Sequence, residues 1–333
     1  MTVGRAFVDG LGRVRRAPWV LGGVWFATLA LALPLAATLH GMLRAHLGAS
    51  LAAESAARGV NFDWWNEFLA QASGVGQSFV PAIIGFAAVM KNLSSVADGG
   101  SLPTVIVSAL CAQIAVSLFL SGGVLDRLAR DRSIGASGFF AACGVYAVRF
   151  LRLGVMAGAV YWLLFWPVHG WLFDTVYPAL TRTVTVERTA FAYRVALYAI
   201  FGVPVLAVNL VFDYAKVRAV VEDRRSMIGA LVAGLRFIAR NPGAAVGLYA
   251  LNALTFLLVI GAYWLVAPGV SSNWWGFAVG QLYILARVNV RLQFAASQIA
   301  LFQGRLAHAG YVARPIPAWP DSPAAEALGP REA

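Results

Sequence analysis

The side chains most able to do chemistry lie in the last long apolar segment, where two arginines are four residues apart. At this spacing Arg287 and Arg291 share one face of a helix. At about 1.5 Å per residue from Gly276, Arg287 lies about 16 Å deep and Arg291 about 22 Å deep. A charge at the centre of a spanning helix costs about 2.5–3.5 kcal/mol on insertion scales. We therefore expect both guanidinium groups to face protein or water, in a helix surrounded by neighbours.

Four further polar residues of the apolar segments are expected at matching depths. They are Gln113, Asn252, Asn209 and Asp213. The first two are level with Arg287, and the last two lie nearer Arg291, so the six residues are predicted to form a buried polar cluster. Because guanidinium groups bind phosphate and carboxylate well, the cluster could bind an anionic ligand in an inward-open cavity. The alternative is a set of Arg–Asp and Arg–Asn bonds that only fixes helix packing.

Other chemistry finds little support in the sequence. There is no P-loop, HExxH, GxSxG, dinucleotide-binding or EF-hand motif. The histidines are scattered, and Cys111 and Cys143 lack metal-ligand spacing, so neither a metal nor a cofactor is predicted. Glu54, Asp63 and Glu67 could pair for acid–base work, but solvated or capping roles suit them better. We expect a protein that is not an enzyme.

The composition indicates which elements must carry these residues. The chain has 333 residues, of which 60% are hydrophobic and 12% charged, with a net charge of +11. A soluble domain has about 25% charged residues, so this chain cannot form an ordinary soluble surface. The pattern predicts an all-α polytopic membrane protein.

Six segments are long and apolar enough to cross a bilayer. They are Ala17–Leu39, Pro103–Gly122, Leu153–Phe173, Phe191–Phe212, Gly243–Ala267 and Gly276–Phe302. A seventh apolar run, Phe79–Met90, is too short to cross and is predicted to be interfacial or re-entrant. With six crossings, most arginines fall on one side, so the positive-inside rule places both termini in the cytoplasm.

The sequence also predicts an internal repeat of an amphipathic helix followed by a helical hairpin, present three times. Residues 7–18 resemble residues 231–242, and a weaker copy covers Tyr146–Gly154. The amphipathic helices suit the inner headgroup region, where anionic lipid headgroups are the expected partners, or a cytoplasmic cap on the bundle. Nucleic acid is not an expected partner, and a protein partner or a homo-oligomer is left open.

A single transmembrane domain is predicted for residues 1–305. Residues 41–102 form an external helical insertion, in which Asp63 is a candidate helix N-cap. The Pro- and Ala-rich residues 306–333 are predicted to be a disordered cytoplasmic tail.

The repeated Gly-Leu-x-x-x-x-Arg-x-Pro motif, at Gly10–Pro18 and Gly234–Pro242, resembles a loose group of uncharacterised bacterial six-span membrane proteins. That group is similar to the membrane domain of some glycerophosphodiester phosphodiesterases, but their catalytic barrel is absent here. The resemblance implies a bacterial inner-membrane protein and no activity. Two functions are predicted: transport or binding of a lipid or small anionic ligand through the arginine cluster, or a non-catalytic structural or accessory role.

Overall fold

The structure is a computed structural model that describes residues 1–81, 86–131, 135–267 and 273–306. Of these residues 87% are helical, and none forms a strand, so the predicted all-α class is confirmed. The helices are α1 Val3–Arg15, α2 Pro18–Leu47, α3 Ala53–Arg58, α4 Phe62–Gln71, α5 Ala87–Ala97, α6 Thr104–Arg130, α7 Ala136–Leu163, α8 Tyr177–Thr181, α9 Glu187–Val221, α10 Met227–Arg240, α11 Pro242–Val266 and α12 Asn273–Leu306.

Five helical stretches are long and apolar enough to cross a membrane, as expected of a membrane protein. They are Pro18–Leu47, Thr104–Arg130, Ala136–Thr181, Glu187–Val221 and Pro242–Val266. The sixth predicted span lies within α12, which is long enough to cross. It is not among the five, because its arginine and amide side chains lower its hydropathy.

The chain divides into two compact units. The first unit comprises Met1–Pro18, Leu118–Thr255 and the chain from Asn289 onward. The second unit comprises Trp19–Ser117 and Phe256–Val288. The division falls within α2, α6, α11 and α12, so each of these helices contributes residues to both units.

Local sequence explains where several helices begin. The hydroxyl of Thr2 accepts a hydrogen bond from the Arg5 amide at the start of α1, and the hydroxyl of Ser226 accepts one from the Gly229 amide at the start of α10. Such side chains satisfy amides that have no partner within the helix. In α4 the N-cap is Asn61, not the predicted Asp63, which lies inside the first turn.

The predicted third amphipathic helix is not a separate element. The weaker copy of the repeat, Tyr146–Gly154, belongs to α7, which continues without a break along the third predicted span and then into two π-helical segments, Leu164–Val168 and Trp171–Val176. Pro167 lies in the first of these segments and cannot donate a backbone hydrogen bond. The short run Phe79–Met90 lies partly outside the described residues, and its last part forms the start of α5. The predicted disordered tail lies outside them from residue 307.

Candidate functional site

The first unit holds a cluster of arginines that join helices distant in sequence, here called the arginine network and comprising Arg13, Arg16, Arg127, Arg130 and Arg149. Arg13 of α1 donates to the Leu128 carbonyl of α6 at 3.0 Å and to Gln303 Oε1 of α12 at 2.8 Å. It also pairs with Asp9 one turn earlier at 3.1 Å. One guanidinium thus ties α1 to both other helices.

A second connection joins the end of α1 to the end of α6. Arg16 donates two hydrogen bonds to the carboxylate of Asp131, and Arg127 donates to the Arg16 carbonyl at 2.8 Å. The hydrogen bond with Asp131 raises the pKa of Arg16. Asp131 has a φ of 50°, a left-handed conformation that aspartate tolerates better than most residues.

Two more ion pairs complete the arginine network. Asp126 of α6 is 1% exposed and accepts from Arg130 at 2.8 Å. Arg149 of α7 binds Asp223, which follows α9 and has a φ of 46°. The guanidinium of Arg149 also lies over the Tyr146 ring, 5.1 Å from the ring centre. Asp131 and Asp223 therefore have equivalent structural roles, because each follows the end of a long helix and binds an arginine from another helix or its end.

Close glycine contacts bring these elements together. A Cβ added at Gly10 would lie 2.6 Å from the backbone nitrogen of Ser297, so only glycine lets α1 approach α12 this closely. Gly234 of α10 lies against α9, where an added Cβ would be 3.1 Å from the Ala215 nitrogen.

The predicted polar cluster is only partly buried. Arg287 and Arg291, which the sequence placed in a buried cluster facing protein or water, both have exposed side chains in the described chain. The physical reason is the surface of α12, where the arginines share an exposed side and the buried side is formed by residues such as Val290, Gln293 and Ser297. Arg287 makes no hydrogen bond or ion pair with any described residue.

Of the other four predicted site residues, Asn252 binds another helix and three bind residues of their own helix. Asn252 is buried and donates to Ser297 Oγ of α12 at 3.0 Å. Asp213 pairs with Lys216 at 2.8 Å. Gln113 donates to Ser117, and Asn209 donates to the Val205 carbonyl, each one turn away on the same helix. Gln113 and Arg287 belong to the second unit and the other four predicted residues to the first.

Asp213 is the predicted residue with the most varied surroundings. Besides Lys216, the tyrosines Tyr161 of α7 and Tyr249 of α11 lie close enough to interact with its charge. The Tyr249 ring in turn packs 5.2 Å from the ring of Phe294 in α12. Asp213 is half-buried, and its charge acts on tyrosines of two other helices.

A different set of arginines points away from the protein. Arg225, Arg236 and Arg240, in and before α10, are exposed and form no ion pair within the described residues. Between them α10 exposes Ile228, Val232 and Leu235. The opposite side of the helix buries Met227, Ala230, Gly234 and Phe237. α10 therefore presents one apolar stripe to the protein and a second, arginine-flanked stripe outward.

Sequence reasoning missed most residues that hold the arginine network. Asp126, Asp131 and Asp223 were not among the predicted site residues, and Gln303 lies one residue beyond the last predicted span. The signal that could have found the acids is their position beside arginines at the ends of long apolar helices. No such signal exists for Gln303, because its partner Arg13 is 290 residues away in the chain.

The described residues contain no group of side chains suited to binding a metal ion. Within the part of the chain that the structure describes, no three His, Cys, Asp or Glu side chains lie together in an arrangement able to hold an ion.

A comparison with protein families, curated proteins and solved structures finds no match for this chain. The resemblance to the membrane domain of glycerophosphodiester phosphodiesterases therefore remains a prediction from the repeated motif.

Proposed function

We propose that this chain is a non-catalytic accessory protein of a bacterial inner membrane that binds anionic phospholipid headgroups on its cytoplasmic side. One observation carries the proposal: α10 exposes an apolar stripe flanked by arginines that have no ion-pair partner in the described chain. A helix of this kind inserts its apolar side among acyl chains and places its basic side chains at the phosphates.

The positions on α10 support this orientation. At 3.6 residues per turn, Ile228, Val232 and Leu235 follow one line along the helix, and the buried residues follow another almost opposite. Arg236 and Arg240 are one turn apart on one flank of the exposed stripe. Because the buried stripe already holds α10 against α9, the exposed stripe remains for lipid.

A second argument comes from the contrast between arginines that are paired within the protein and arginines that are exposed and unpaired in the described chain. Those of the arginine network are held by carboxylates, backbone carbonyls or Gln303, so their charge is used within the protein. Arg5 and Arg15 on α1, and Arg152 on α7, are exposed and form no ion pair with any described residue. Each of these helices also exposes apolar side chains, among them Val8 and Leu151. The same combination as on α10 thus recurs.

The proposed topology has six spans, with α12 as the sixth, both termini in the cytoplasm and residues 41–102 as an outer cap. It is built from three repeated hairpins. In its support, α1 and α10 have hydroxyl N-caps at equivalent positions, Thr2 and Ser226. Each helix also has a fully buried alanine at the same position of the repeat, Ala6 or Ala230. Each packs a glycine at the next shared position, Gly10 or Gly234, against another helix.

The proposal is tested with purified protein in nanodiscs that contain a mixture of phosphatidylcholine and phosphatidylglycerol. Retained phosphatidylglycerol is measured by mass spectrometry after transfer into detergent. A basic residue near a membrane contributes about 1 kcal/mol, so the double variant Arg236→Gln/Arg240→Gln should retain about 30-fold less tightly bound anionic lipid.

The matched control for this experiment is Arg58→Gln in α3, an exposed arginine of the proposed outer cap. Its retention of phosphatidylglycerol should equal that of the unmodified protein. Equal retention by the α10 double variant and the unmodified protein would contradict the proposal.

A second candidate function, binding or transport of a small anionic ligand, rests on Arg287. Its exposed guanidinium lies on a mostly apolar helix and has no partner among the described residues, so an anion could neutralise it. Stabilisation by inorganic phosphate is the direct measurement. Arg287→Leu should abolish a phosphate-dependent rise in the thermal midpoint, whereas Arg188→Leu on α9 should leave it unchanged. If phosphate has no effect on the unmodified protein, this candidate fails.

A further inference from the structure

The junction of α1, α11 and α12 in the first unit contains two buried carbonyl oxygens that accept no hydrogen bond from the described residues. They are Asn252 Oδ1 and Gln293 Oε1. Asn252 has no exposed surface and Gln293 is 2% exposed. Because buried polar groups in proteins almost always have a partner, two such oxygens in one region need an explanation.

The amide nitrogens of both residues fix which way the side chains point. Asn252 Nδ2 donates to the Leu248 carbonyl at 2.9 Å and to Ser297 Oγ at 3.0 Å. Gln293 Nε2 donates to the Phe7 carbonyl of α1 at 2.7 Å. Exchanging the oxygen and nitrogen of either amide would set its oxygen against the carbonyl oxygen of Leu248 or Phe7, so the amide oxygens of Asn252 and Gln293 are the free ends.

One turn of α12 connects the two amides, because Gln293 lies on it and Asn252 of α11 binds it. Gln293 and Ser297 are four residues apart and therefore share a face of the helix, and Asn252 binds Ser297 directly. The Ser297 hydroxyl donates to the Phe294 carbonyl at 3.1 Å, so its oxygen adds a further acceptor beside the two amides. The nearby side chains Leu248, Ala245 and Ala296 are apolar and buried.

We infer that Asn252, Gln293 and Ser297 form a binding site for one small ligand that presents positive charge to oxygen atoms. This ligand is either a water molecule, through its hydrogens, or a monovalent cation. Both ligands supply what the oxygens lack, since a water donates two hydrogen bonds and a cation attracts several carbonyl dipoles. An anion does not suit the site, because the free groups are acceptors. Asn252 is thus assigned to a different ligand class from the one predicted for it by the sequence.

The ligand would connect the N-terminal helix to the rest of the first unit. Gln293 holds α1 through Phe7, Gly10 of α1 lies against Ser297, and Asn252 brings in α11. The site therefore lies where three helices meet, and its occupation should stabilise their packing.

The inference is tested by a double-variant cycle on the thermal midpoint of the purified full chain in detergent. Asn252→Leu and Gln293→Met each remove one oxygen and leave the other unpaired. If the oxygens share a ligand, the double variant is less destabilised than the two single shifts predict, by about 2 °C or more. The control pair combines Asn252→Leu with Gln303→Met, whose amide is fully bonded to Arg13 and Ala129, and its shifts should add.

Salt identity distinguishes the two ligands. A saturable rise of the midpoint with sodium or potassium chloride, but not with choline chloride, that is lost in Asn252→Leu identifies a cation. Coupling between the two oxygens without this dependence identifies a water. Additive shifts in the Asn252/Gln293 cycle overturn the inference.

An experimental structure of the unmodified protein provides a test that does not depend on folding of the variants. Density within hydrogen-bonding distance of both oxygens supports the site. Two well-ordered carbonyl groups that point away from each other, with no shared density, overturn it.

Discussion

The two ends of α11 contrast sharply, and they belong to different units. Leu248 in the first unit has no exposed surface, whereas Leu258 in the second unit is 65% exposed and its neighbour Leu257 is exposed to a similar extent. The same residue type on the same helix is thus protein core at Leu248 and surface at Leu258. The difference teaches that apolar residues serve two purposes in this protein. Some pack against other helices, and the exposed ones are suited to contact with membrane hydrocarbon.

Charged residues follow the same division. The first unit buries ion pairs such as Asp126–Arg130, while the Glu54–Arg58 pair of the second unit is almost fully exposed on α3. A buried pair must be complete, because either charge alone would face a low dielectric. An exposed pair is solvated and contributes little. Two pairs of substitutions compare the units, and two further pairs compare a packed with an exposed position inside one unit.

The largest effect is expected from the buried ion pair. Asp126→Asn removes the carboxylate that holds Arg130 and should lower the free energy of unfolding by about 3–5 kcal/mol. The matched change Glu54→Gln should alter it by less than about 0.5 kcal/mol. Chemical unfolding of the purified variants, followed by circular dichroism, gives both values. Similar losses from the two variants would show that the units do not differ in this way.

The leucines of α11 come next. Leu248→Ala should cost about 2–5 kcal/mol because it opens a cavity in a packed region. In detergent, Leu258→Ala should cost less than about 0.5 kcal/mol, since its side chain contacts no core. The same unfolding measurement gives both values. A large loss of unfolding free energy in Leu258→Ala would show that Leu258 is packed against protein, against the contrast drawn here.

A smaller effect is expected where glycine permits a close contact. Gly10→Ala forces a Cβ against the backbone of Ser297 and should destabilise the first unit by about 1–3 kcal/mol. Gly4→Ala, on the same helix with nothing within 4 Å, should be neutral or stabilising. Hydrogen exchange of the α1 amides reports the change locally. Equal protection of α1 in both variants would rule out the close contact.

The smallest effect tests the packed part of the second unit. Trp64 packs with Phe68 on α4 and donates from Nε1 to His46 Nδ1 at 3.0 Å. Trp64→Phe keeps the apolar contact but loses this bond, at a cost of about 1 kcal/mol. Trp274→Phe, at an exposed position of α12, should cost nothing measurable in detergent. Thermal midpoints compare the two, and no shift for Trp64→Phe would exclude a stabilising role for the bond.

Particular residues show how far sequence reasoning reached. The apolar segments and their lengths predicted helices that the structure contains, because twenty apolar residues in a row have few other uses. The repeated glycines of the motif, Gly10 and Gly234, both lie at close helix contacts. The exposed side of α12 that carries Arg287 and Arg291 was not evident from the sequence, because depth along a helix does not tell which side of it the neighbours cover.

By itself, the sequence of this protein determined the helical class, the positions of the long apolar segments and the clustering of arginines, because these are properties of neighbouring residues. Only the tertiary structure decided which arginine meets which acid, which glycine touches a backbone, and which amide oxygens are buried without a partner. Those outcomes depend on helices far apart in the chain, as when Arg13 meets Gln303. A charged or polar group pairs with whatever packing brings within about 3 Å, and local sequence does not specify that neighbour.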